Sequence, residues 1–138
     1  MVLIAPYLGE GAPIDEIAAA GGVARWTPPE TFAADDIVRP LWVYLKAAYA
    51  APLKAAYATP GARPRTPLYL GLGRSDRFGA AQRLLADLLP PERVTTVPGG
   101  HRWGPWEELW RRFLDRGLLP GTTPRDGTVP PLRRGERR

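Results

Sequence analysis

The chain contains no cysteine and only one histidine, His101. The first absence excludes disulfides, thiolate metal sites and a cysteine nucleophile. The second excludes a metal centre built from several imidazoles. Long hydrophobic runs are also lacking. The stretch from Leu41 to Leu45 is far short of the roughly 20 apolar residues that a bilayer-spanning helix needs. The opening "MVLIAPYL" is apolar, but it has no basic segment ahead of it and breaks at Pro6, so no signal peptide is expected. The expectation is a cytoplasmic protein with no metal, no cofactor and no membrane span. Serine is equally scarce, with Ser75 the only one.

What is present is enough for one domain. The chain has 138 residues, of which 44% are hydrophobic, and carries 15 glycines and 17 prolines. That length buries about two-thirds of the extended surface, and that composition implies many turns. The formal net charge is +5. Much of it comes from the closing "PLRRGERR", with Arg133, Arg134, Arg137 and Arg138 against Glu136. No aromatic residue interleaves with these arginines to stack on bases, so residues 120–138 are read as a disordered basic tail rather than a nucleic-acid contact.

Residues 2–5, 68–72 and 94–97 read as short, continuous apolar or β-branched strands, the pattern of a parallel sheet covered on both faces. "PIDEIAAA" predicts a helix that Gly21 and Gly22 stop. A longer helix is expected from Leu41 to about Ala58, with Pro52 breaking or kinking it. Within it "LKAAYAAP" is followed at once by "LKAAYATP". Eight residues turn a helical face by about 80°, so this is a local duplication rather than a solenoid. Phe78, Ala81, Leu85 and Leu88 trace the apolar stripe of a third helix, ended by Pro90 and Pro91. Trp106, Leu109, Trp110 and Phe113 trace that of a fourth, stopped at Gly117. The expected class is α/β, a partial doubly wound parallel sheet of about three strands.

In such sheets ligands and catalytic groups gather at the carboxyl ends of the strands. Asp76 follows the second strand and His101 the third, each in a glycine-containing turn and separated by one helix and one strand. Neighbouring parallel strands would bring the two together. An aspartate accepting from the imidazole Nδ1–H fixes the tautomer of a catalytic base. The competing reading of His101 alone is a structural, hydrogen-bonded histidine. Other acids fit less well: Asp87 lies on the third helix near its polar side, and Asp35 and Asp36 are placed to cap the long helix.

The stretch "PLYLGLGRSDRFGAAQRLLADLLPPERVTTVPGGHRWGPWEELWRRFL" resembles the C-terminal end of the α/β-hydrolase superfamily, and "VLIAPYLG" looks like that family's sixth strand. The resemblance implies that Asp76 matches the triad acid and His101 the triad base. It further implies that residues 8–66 match a substrate-covering lid-like insertion within a domain of residues 1–119. The family places its nucleophile on a G-x-S-x-G elbow after the fifth strand, and these 138 residues contain no such elbow. "GRSDR" is a near miss in which Arg77 stands where glycine is required, and Ser75 is read as a turn residue.

Trp26, Trp42, Tyr44, Tyr49 and Tyr57 could line an acyl pocket or pack the crossover helices, and a lid does both. Trp103, Trp106 and Trp110 are read as core, with Trp103 shielding the His101 loop. The expectation is the C-terminal part of a serine-type, esterase-like hydrolase acting on a small acyl or ester substrate, inactive alone. The alternative is a non-catalytic module pairing through the open edge of strand 2–5, with a second copy or with a complementing N-terminal half. A basic nucleic-acid-binding protein, suggested by a pI of 10.1, stands well behind both.

Overall fold

A computed structural model describes residues 1–50 and 67–118. The basic tail, the second copy of the repeat, Tyr57 and the last part of the lid-like insertion lie outside the described residues.

Three parallel strands form one sheet in the order β1 (Val2–Ile4), β2 (Tyr69–Gly73), β3 (Val94–Val97). Val2 pairs with Tyr69, and Leu70 through Gly73 pair with Val94 through Val97. Among the described residues four α-helices accompany them: α1 (Ala12–Ala19), α2 (Val38–Leu45), α3 (Gly79–Ala86) and α4 (Trp103–Asp115). This is an α/β arrangement. No helix among the described residues is long and apolar enough to cross a membrane.

Strand periodicity divides the core in two. Leu3, Leu70, Leu72 and Val94 face α1, α2 and α3, where Ile14, Ile17, Trp26, Trp42, Leu45, Leu84 and Leu85 join them. Val2, Ile4, Tyr69 and Val97 face α4 and meet Leu109 and Phe113. Gly71 makes that approach possible, since a Cβ there would lie 2.9 Å from the Phe113 ring.

The first strand ends one residue earlier than the apolar run suggests, because Ala5 turns into the left-handed region at φ 45°. The long helix starts earlier than Leu41. The Asp36 carboxylate accepts the N–H groups of Val38 and Arg39 at 3.1 and 3.0 Å and caps a helix beginning there. It changes pitch to a π-helical turn over Lys46–Ala50. Arg39 ties α2 to α1 by bonding both Asp36 and Glu16 at 2.8 Å, and Glu16 also accepts the Trp26 indole N–H. The Trp42 indole donates to Leu8 O at 2.9 Å, and the Lys46 ammonium to Trp26 O.

Candidate active site

The site begins with the backbone. Past the last paired residues of β2 and β3, the ladder continues into the loops. Arg74 N–H donates to Val97 O at 2.9 Å and Ser75 N–H to Gly99 O at 3.0 Å. Gly73 permits this contact, because a Cβ there would sit 2.5 Å from Gly99 O. The chain then turns away at Gly99 with φ 106°, a conformation that favours glycine. "GLGRSD" and "PGGH" thus leave the same end of the sheet side by side.

Asp76 sits in a tight turn at the start of α3. Its Oδ1 accepts the Phe78 N–H at 2.9 Å, which orients the carboxylate, and its Oδ2 lies 3.0 Å from His101 Nδ1. The Asp76 side chain is fully buried, whereas that of His101 keeps 20% of its surface exposed. Burial pushes the Asp76 carboxyl up. Hydrogen bonds from Phe78, His101 and Gln82 outweigh that effect and hold it below the usual carboxylate value. An ionised carboxylate can only accept, so the proton between the pair belongs to Nδ1. In the neutral imidazole Nε2 then carries the lone pair, and it has no partner among the described residues.

Two rings hold the imidazole in place. Phe78 and Trp106 meet it edge to face at centroid distances of 4.9 and 4.8 Å, and Tyr7 and Trp103 extend this aromatic row at either end. Beside the imidazole lies a cavity of about 350 Å³, lined by Ile4, Ala5, His101, Trp103, Trp106, Glu107 and Trp110. Its wall is apolar apart from His101 and Glu107, and the Glu107 carboxylate is paired with Arg111 at 3.2 Å. This volume lies in the range that accepts a small organic group. Among the described residues no three side chains of metal-ligating type converge.

The structure brings Asp76 and His101 together and leaves the other candidate acids elsewhere. Asp36 caps α2, while Asp87 ends α3 and is exposed, as is Asp35. Ser75 is exposed in its turn, and its N–H belongs to the β2–β3 ladder.

Two tryptophans correct the sequence reading. Trp103 and Trp110, expected in the core, are 73% and 46% exposed, because no second helix among the described residues packs beside α4 on that face. For Trp26 and Trp42, read as pocket lining or helix packing, the structure takes the packing alternative and buries both on the opposite face. Three participants escaped the sequence reading: the Phe78 N–H, the left-handed Ala5 and the buried Gln82. A glutamine on an otherwise apolar helical face was the available signal for the last. Comparison with family models, with curated proteins and with solved structures gives no match.

Proposed function

We propose that Asp76 and His101 are the acid and base of a serine-type α/β-hydrolase that cleaves an ester or related acyl bond, its nucleophile supplied from outside these 138 residues. The observation that carries this reading is the 3.0 Å contact between Asp76 Oδ2 and His101 Nδ1 at the carboxyl ends of neighbouring parallel strands. A serine hydroxyl attacks the acyl carbon while His101 Nε2 takes its proton. Asp76 stabilises the resulting imidazolium through Nδ1–H. The tetrahedral intermediate collapses, the carbon–oxygen bond to the alcohol breaks, and His101 returns the proton to the leaving oxygen. Water then repeats the sequence and releases the acid and the serine. The cavity beside His101 receives the apolar part of the substrate.

Affinity purification of the tagged chain from its native cells, with p-nitrophenyl butyrate as substrate and a fluorophosphonate as label, tests this. The purified assembly should turn over the ester and take the label on a serine other than Ser75. His101→Ala should reduce turnover by about a thousandfold or more. No His101-dependent turnover, or labelling of Ser75, would overturn it.

A second reading has its own support. Met1 and Ala5 direct their backbone groups toward β2, so the N–H and C=O groups of Val2 and Ile4 lie on the outer edge of β1, which pairs with no other strand among the described residues. An apolar edge of this kind suits pairing with another strand. Purification of an assembly with no esterase activity would favour that reading.

A further inference from the structure

We propose that the cavity beside His101 is a binding site for an aromatic ring, so that the acyl or ester substrate carries an aryl or arylalkyl group. The ring's place in a substrate rests on the hydrolase reading above, but the site itself does not.

Helical spacing builds one wall. Trp103, Trp106, Glu107 and Trp110 stand at i, i+3, i+4 and i+7 of α4 and share one face. Ile4 and Ala5 at the exit of β1, and His101 after β3, complete the lining. Four of these seven residues carry rings. An apolar cavity of about 150 Å³ is enough to hold benzene. The cavity of about 350 Å³ here therefore holds one ring together with the link to the reacting bond. Trp103 and Trp110 keep much of their indole surface exposed beside it, and an exposed apolar patch of this kind marks a binding surface.

Two features favour a ring over a saturated group of the same size. The lining rings already meet edge to face, Trp106 against His101 at 4.8 Å and 82°, and Trp103 against Trp106 at 6.4 Å and 74°. Walls set near right angles offer an incoming ring both an edge and a face, and each such pair adds attraction beyond the area it buries. A saturated group gains the area alone. The second feature is the Glu107 carboxylate in the wall. The edge of an aromatic ring carries partial positive charge and suits a carboxylate, whereas saturated hydrocarbon only strips it of water. Indole faces also attract cations. Here, however, Trp103 begins α4, so the cavity lies at the positive end of that helix, and Arg111 already pairs with Glu107. The arrangement suits a neutral ring.

Titration of the full chain with benzyl alcohol and with cyclohexylmethanol tests the site, followed by the indole N–H and His101 ring signals in NMR spectra. The saturated ring has the larger apolar surface, so burial alone would favour cyclohexylmethanol. Benzyl alcohol should instead bind about threefold to tenfold more tightly. It should shift the signals of Trp103, Trp106, Trp110 and His101 and leave those of Trp26 and Trp42 in place. Trp110→Leu, at a half-exposed position, should cut the preference by about half or more. No shift with benzyl alcohol, or affinity no greater than for cyclohexylmethanol, would overturn the proposal, and neither result needs a variant to fold. An unchanged preference in a natively folded Trp110→Leu would also overturn it. Methyl phenylacetate and methyl cyclohexylacetate, offered to the native assembly, separate the two readings. Ring-selective binding by the chain with neither ester cleaved would sustain the aromatic site and remove the hydrolase reading. Cleavage of both esters with equal kcat/KM, beside equal affinities for the two alcohols, would do the reverse.

Discussion

The two faces of the sheet use tryptophan in opposite ways. Beneath α1, α2 and α3, Trp26 and Trp42 are 1% and 0% exposed, and both indole N–H groups are paired, with Glu16 and with Leu8 O. On the other face α4 is the one helix among the described residues, and Trp103, Trp106 and Trp110 form one wall of an open cavity beside His101. Coverage, and not residue type, separates the two. Among the described residues three helices close one face into a buried core, while a single helix crosses the three strands on the other. The face with fewer described helices is the one that holds the cavity.

Stability measurements can break this comparison. The largest effect is expected for Trp42→Ala, which leaves a large void and an unpaired Leu8 carbonyl. It should cost about 3–5 kcal/mol in urea unfolding. Trp110→Ala on the other face should change stability by less than about 0.5 kcal/mol. Equal losses in the two variants would show that the faces are equally packed.

Gly73→Ala is expected next, at about 1–3 kcal/mol, because its methyl group meets Gly99 O. It should also separate the two loops and abolish the Asp76–His101 contact in the imidazole spectrum.

Asp76→Asn should cost about 1–3 kcal/mol at neutral pH. Its pH dependence sharpens the assignment. The native carboxyl titrates below its unfolded value, so it contributes stability above about pH 4 and loses it as pH falls through the native value. The unfolding curves of the wild type and of the Asp76→Asn variant should therefore converge in acid. Parallel curves would mean that Asp76 is not held in its charged form. A small gain of about 0.5 kcal/mol is expected for Ala5→Gly from relief of a left-handed alanine, read from thermal unfolding.

Much of the scaffold was legible because its signals are local. Val94–Val97 carries the β-branched pattern of a strand, and the Asp76 and His101 turns follow their strands at positions where glycine breaks the pattern. Helix ends were less legible. The start of α2 depends on which of two adjacent aspartates turns its carboxylate toward the backbone, and periodicity carries no such information. The exposure of Trp103 and Trp110 was invisible for another reason. An amphipathic stripe shows which side of a helix is apolar, but not whether a neighbour exists to cover it. Gln82 was illegible for a similar reason, since its amide donates to Pro6 O, far away in the chain and adjacent only in the folded molecule.

The seam between β2 and β3 does not end where the strands do. Because Arg74 and Ser75 continue it to Val97 and Gly99, the carboxylate and the imidazole ride on one stiff plate, and peeling β1 from the far edge would leave their spacing intact. A newcomer at that edge would meet the Asp76–His101 pair already assembled. Slow deuterium uptake at the Arg74 and Ser75 amides, beside rapid uptake at Val2 and Ile4, would be its signature.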